Sequence, residues 1–173
     1  MLNSNAKEKG FTLIEVVVTL LLVGITATLA GMWIVNVANG YVFAKMNADT
    51  AQKGQLAMTR LAKELSALQS IPSSPLPSGT SITFYRADIS YPSGIPVTIA
   101  QNGNTVQINV NNSGDNVLTD SVSAFSLAYC DSPNSACQST WSASSRIIEI
   151  TLTLMGANNT TSSFTGRATP RNI

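Results

Sequence analysis

The chain has no histidine. That removes the side chain that most often serves as a general base near neutral pH, and the commonest metal ligand with it. Its two cysteines, Cys130 and Cys137, are too few for a structural zinc site without histidine. Charge is scarce as well. Charged residues are 11 % of the chain and the net charge is +1, so no broad positive field draws nucleic acid. Serine, threonine and asparagine are abundant after residue 70. A hydroxyl-rich surface with few charges fits an exported protein better than a cytosolic one. The serines have no base partner, which argues against acyl transfer. The expectation is a protein with no catalytic residue, no metal and no cofactor.

Proline is absent from Phe11 to Ile71, and charge is absent from Val16 to Ala44. A polar stretch with Lys7 and Lys9 comes first, then the apolar run Phe11–Val35, interrupted by Glu15. More than about 20 apolar residues at ~1.5 Å each can cross a hydrocarbon core of ~30 Å. Basic residues before the run and none until Lys45 keep the N-terminus cytoplasmic and send the rest outward. An ordinary signal peptide cut near Ala30 has this charge pattern. A plain signal anchor has it too. Neither accounts for Glu15, because a carboxylate inside a membrane helix costs roughly 2.5–3.5 kcal/mol on insertion scales.

Lys9-Gly10-Phe11-Thr12-Leu13-Ile14-Glu15 resembles the processing site of type IV prepilins and type II secretion pseudopilins. The match is residue by residue: glycine before the cut, phenylalanine after it, glutamate four residues on, then an apolar run. The resemblance implies a leader, residues 1–10, carrying the basic Lys7 and Lys9. A prepilin peptidase would cut between Gly10 and Phe11 and methylate the new amine of Phe11. It implies assembly with other pilin or pseudopilin subunits through the N-terminal helix, on an inner-membrane platform. Before assembly the helix would lie in inner-membrane lipid, with the C-terminal domain in the periplasm. Cleavage would place an ammonium on Phe11, at a helix terminus that already carries partial positive charge. Glu15 of one subunit would neutralise it on another and set the axial register. Alternatively Glu15 bonds its own Phe11 amine one turn away.

Downstream, helix-forming residues predict one helix from Thr12 to Gln69, about 85 Å long at ~1.5 Å per residue. Its first part, 11–38, is apolar all round. Its continuation, 39–70, is amphipathic, with Leu56, Met58, Leu61, Ala62, Leu65 and Leu68 as the apolar stripe. Gly24, Gly31, Gly40 and Gly54 lower its rigidity and would permit close helix contact in a packed filament. Residues 71–79, rich in proline and serine, are a linker. Residues 80–173 form the globular part. Ser81–Arg86, Val97–Gln101, Val106–Val110, Val122–Tyr129, Ile147–Met155 and Ser162–Ala168 predict strands, with a hairpin at Asn102-Gly103 and another after Met155. The fold class is therefore α+β, a long helix packed on an antiparallel sheet.

Arg60-Leu-Ala-Lys-Glu64-Leu, Asp120–Tyr129, Ile147–Leu154 and Ala168-Thr-Pro-Arg171-Asn172 resemble the J-type pseudopilins and the W-type minor pilins. The domain is small for a J-type protein, which implies trimmed loops. Many major pilins carry a helix-kinking proline in the apolar run, and its absence leans toward a minor subunit. Cys130 and Cys137 lie close together in a loop. Because the N-terminus argues for export, they predict a disulfide; the alternative is two reduced thiols in a cytosolic loop. Asn111–Asp115 reads as a turn, because the alternating ligands of a calcium loop are missing. Asn158 and Asn159 each open a glycosylation triplet of a kind frequent by chance. Three functions remain: a minor subunit of a tip complex, a major pilin of the shaft, or a signal-anchored periplasmic binding protein with no polymer role.

Overall fold

The computed structural model describes residues 10–171. Lys7, Lys9 and Asn172 lie outside them. The order of elements is α1 (Leu13–Ser66), then β1 (Leu68–Ser70), β2 (Ser81–Asp88), β3 (Tyr91–Asn102), β4 (Thr105–Val110), β5 (Asp115–Thr119), β6 (Val122–Cys130), β7 (Ile147–Met155) and β8 (Thr161–Ala168). The fold is α+β, a long N-terminal helix followed by antiparallel strands that pack on its later turns. The chain divides after Ala44 into two compact units, one containing the first part of α1 and the other beginning at Lys45.

In the first unit every residue of α1 up to Ala44 is exposed. This is the one helix among the described residues that is long and apolar enough to cross a membrane. α1 runs unbroken to Ser66, three residues short of the expected end. Its last turn tightens, with the Ala67 N–H donating to the Glu64 carbonyl at 3.1 Å, and Leu68 then enters β1.

In the second unit the strands divide into two meanders. β1 to β5 form one sheet in chain order, and β6 to β8 form the other. The division falls at Asp120-Ser121. Ser121 holds a left-handed backbone, φ 56°, which turns the chain out of the first sheet. The Val122 N–H then donates to the Asn104 carbonyl, and the Leu127 N–H to the Gly79 carbonyl. The β3–β4 turn is Gly103-Asn104, with Asn102 opposite Thr105, and Gly103 takes φ 57° as the first turn residue.

β3 begins six residues earlier than its sequence signals, at Tyr91 rather than Val97. Pro96 is tolerated because β4 pairs from Val97 onward. The Pro96 backbone therefore faces beyond the last ladder pair, and its carbonyl accepts from Asn111.

Helix and sheets share one core. Leu61, Leu65 and Leu68 are fully buried against Ile82, Phe84, Val97, Ile99 and Val106 of the first sheet and Leu127, Ile148, Ile150 and Leu152 of the second. Each such side chain contributes about 1.5–3 kcal/mol of burial. The buried stripe of α1 differs from the expected one at its start. Leu56 is 64 % exposed, and Gly54 and Ala57 take the inward positions. The close approach allowed by Gly54 is used within the chain, since a Cβ there would meet the Phe164 ring of β8.

Candidate functional site

Gly10, Phe11 and Thr12 precede α1, and all three are exposed. Thr12 sets the start of the helix. Its carbonyl accepts from the Glu15 N–H at 3.1 Å and the Val16 N–H at 3.2 Å. Its Oγ1 accepts a second, longer bond from the Glu15 N–H at 3.3 Å. Thr12 is thus the N-cap, and one backbone donor of the first turn gains a second acceptor. Glu15 lies in that first turn, where a carboxylate complements the positive helix terminus. Among the described residues, no ion pair involves Glu15.

Sequence reading missed the role of Thr12. The signal was present as Thr12-Leu13-Ile14-Glu15, the Thr-x-x-Glu spacing of a capping box ahead of an apolar run.

The next turns show how an exposed helix suits an apolar surrounding. Thr19 donates its hydroxyl to the Val16 carbonyl at 2.9 Å, and Thr28 donates to Ile25 at 2.8 Å. Thr26 bonds Leu22 in the same way at 2.9 Å. These hydroxyls are satisfied within the helix, so the helix presents no free hydroxyl donor there. Around them Leu20, Leu21, Leu22, Ile25, Leu29 and Trp33 are exposed on all sides.

In the second unit, Cys130 and Cys137 are joined, S–S 2.01 Å. The same loop is closed by two backbone bonds between Tyr129 and Gln138, at 2.7 and 2.8 Å. Arg167 of β8 bonds Glu149 at 2.8 Å and the Pro133 carbonyl at 3.1 Å, which ties the loop to the second sheet. Tyr129 is buried, and its hydroxyl donates to the Ser78 carbonyl at 2.9 Å. Burial pushes its phenol well above the ordinary tyrosine range. Trp141 meets Tyr129 edge-on, with ring centroids 5.6 Å apart.

Glu64 is the buried charge of α1. One carboxylate oxygen accepts from Arg60 Nε at 3.0 Å and the other from Arg86 Nη1 at 2.8 Å. On the outer face Lys53 and Asp120 pair at 2.8 Å, and the Lys53 hydrogen bond holds the Asp120 carboxyl below its usual range. Asn47 reaches the turn after β7 and accepts from the Ala157 N–H at 3.2 Å.

The family described as the prokaryotic N-terminal methylation motif matches residues 5–31. That stretch contains Gly10, Phe11 and Glu15 and the first turns of α1. No curated protein and no solved structure matches the chain. The motif supports the type IV pilin and pseudopilin family. It points to a structural, membrane-anchored subunit that a prepilin peptidase processes and that assembles with other pilin subunits.

Proposed function

We propose that the protein is a minor subunit of a type IV pilus or type II secretion pseudopilus, of the kind that joins an initiating tip complex. The observation that carries this reading is the methylation motif over residues 5–31, running into a helix whose apolar residues up to Ala44 are exposed on every side. Residues 1–10 are the leader, removed between Gly10 and Phe11, and Phe11 is then methylated. Residues 11–38 are the membrane and filament-core helix, 39–70 its amphipathic continuation, 71–79 the linker and 80–173 the β-rich domain. The N-terminus is cytoplasmic, the C-terminal domain periplasmic, and the membrane the bacterial inner membrane. Two features support a minor role: the proline-free run from Phe11 to Ile71, and the likeness to J-type pseudopilins and W-type minor pilins.

The test is the intact mass of protein extracted from membranes. The expected species begins at methylated Phe11. A mature N-terminus near Gly31 overturns the reading, because it means that the apolar run is a discarded signal peptide. Immunogold labelling of sheared filaments separates the roles: sparse label marks a minor subunit, and label along the shaft a major pilin.

A further inference from the structure

This inference rests on the proposal that Gly10–Phe11 is the processing site, and it concerns what presents that bond. Hydrolysis breaks the bond between the Gly10 carbonyl carbon and the Phe11 nitrogen. Water supplies a hydroxyl to the carbon and a proton to the amine. The peptidase must reach the Gly10 carbonyl and polarise it as the bond breaks. A helix is a poor substrate for that step, since each helical carbonyl is occupied by the N–H four residues on.

Helix-forming pressure at this point is considerable, because α1 follows immediately and runs for 54 residues. If the helix started one turn earlier, the Ile14 N–H would bond the Gly10 carbonyl and wind the scissile peptide into the first turn. In the structure this does not occur. Gly10, Phe11 and Thr12 are not helical, and α1 opens at Leu13. The groups that fix the opening both belong to Thr12. Its carbonyl takes the Glu15 and Val16 N–H groups at 3.1 and 3.2 Å, and its Oγ1 takes the Glu15 N–H at 3.3 Å. A threonine cap favours a helix start at its own position over starts elsewhere.

We propose that Thr12 is a positioning residue for leader removal: by starting the helix at Leu13 it keeps the Gly10 carbonyl free of helical hydrogen bonds and open to the peptidase. Thr12 does not touch the reacting atoms. It acts through the backbone of its neighbours.

The experiment uses the full-length precursor in detergent micelles with purified prepilin peptidase, following cleavage by intact mass. Thr12→Ala removes the cap and favours helix, and cleavage is expected to slow about fivefold, the population change of a typical N-cap. Thr12→Val keeps the shape without the acceptor and is expected to behave like Thr12→Ala. Thr12→Ser keeps the oxygen and is expected to cleave within about twofold of wild type. Backbone chemical shifts of Gly10–Thr12 give a second reading: non-helical in wild type and Thr12→Ser, helical in Thr12→Ala. Wild-type rates for Thr12→Ala and Thr12→Val, or a Thr12→Ser as slow as alanine, overturn the inference while leaving the processing site in place. A wild-type precursor that the peptidase does not cut overturns the processing reading itself, and this inference with it.

Discussion

The Phe164 ring of β8 lies directly on the backbone of α1 at Gly54, in the space a side chain would otherwise fill. Gly166 on the same strand gives way in turn to the Met58 side chain of the helix. Ring and helix interlock because two glycines, one on each element, leave gaps opposite a large side chain.

Gly54→Ala is expected to destabilise the fold by up to about 2 kcal/mol. Overpacking costs roughly 1–3 kcal/mol, partly offset by about 1 kcal/mol of better helix propensity. Thermal unfolding in detergent, followed by near-ultraviolet circular dichroism, reads the loss. Phe164→Leu should relieve part of it, so the double variant should be more stable than the sum of the two single changes requires. Strict additivity would show that ring and helix do not press on each other.

Glu64 is 4 % exposed and serves two arginines. Arg60 is more than half exposed, so that arm contributes under about 1 kcal/mol. The Arg86 arm is better shielded. Glu64→Gln removes the charge that both guanidinium groups face, and a loss of about 2–3 kcal/mol is expected in urea unfolding. Arg60→Ala should lose less than Arg86→Ala. The reverse order would refute the assignment of the stronger arm.

The Cys130–Cys137 disulfide closes a short loop whose neck is already paired at Tyr129 and Gln138. Loop-closure entropy gives roughly 2–3 kcal/mol for a loop of about eight residues. The double serine variant should lose less than this, because the paired neck and the Arg167 bond to Pro133 survive. Equilibrium denaturation of the double variant against the oxidised wild type checks the figure. A loss above about 3 kcal/mol would mean that the backbone pairing depends on the disulfide.

Much of this architecture can be read from residue order, for identifiable reasons. Ile147–Met155 alternates along its length, and its burial alternates with it from Ile148 on. Asn102-Gly103 marks a hairpin because glycine accepts the left-handed backbone that the turn needs. β5 gives no such signal, because Thr119 is its one buried residue, and β1 is three residues long. Hydrophobic periodicity favours Leu56 over Gly54 and Ala57 because it weighs side-chain size. Here the helix approaches the sheet closely, so small residues are the ones that face inward. At the N-terminus Glu15 is conspicuous as a carboxylate among apolar residues. The cap at Thr12 is quiet, because threonine carries no charge and other threonines recur along the same run.

Tyr129 gives the fold an alkaline limit. Burial holds its phenol protonated well above the ordinary value. The neutral form is therefore the folded form, and its stabilisation is complete below the unfolded tyrosine pKa of about 10. It is lost as the pH rises through the folded value. Stability should fall above about pH 10, more steeply in wild type than in Tyr129→Phe. At neutral pH the same variant should lose about 1 kcal/mol, because the Ser78 carbonyl loses its donor. Parallel alkaline curves for the two proteins would show that Tyr129 is not the group responsible.

Glu15 carries the last prediction. It is an exposed carboxylate in the first turn of a helix with no other charge until Lys45. Processing between Gly10 and Phe11 would create one cation at that depth, the Phe11 ammonium, because Lys7 and Lys9 would leave with the leader. In a single membrane-bound subunit the amine and carboxylate would lie about one turn apart near the interface, where water would screen them. In a bundle of such helices both would be desolvated, and a pair between neighbours would matter more. Removing one partner of a desolvated pair costs about 3–5 kcal/mol, whereas an exposed pair is worth under about 1 kcal/mol. Glu15→Ala should therefore be cleaved and inserted like wild type, yet recover far less of its partner pilins on co-purification. The bonds that the Glu15 and Val16 N–H groups donate to Thr12 do not use the glutamate side chain, so the helix start survives the substitution. Recovery of partners at wild-type levels would exclude Glu15 as a register device. It would place the subunit at a tip, where no preceding subunit offers an amine.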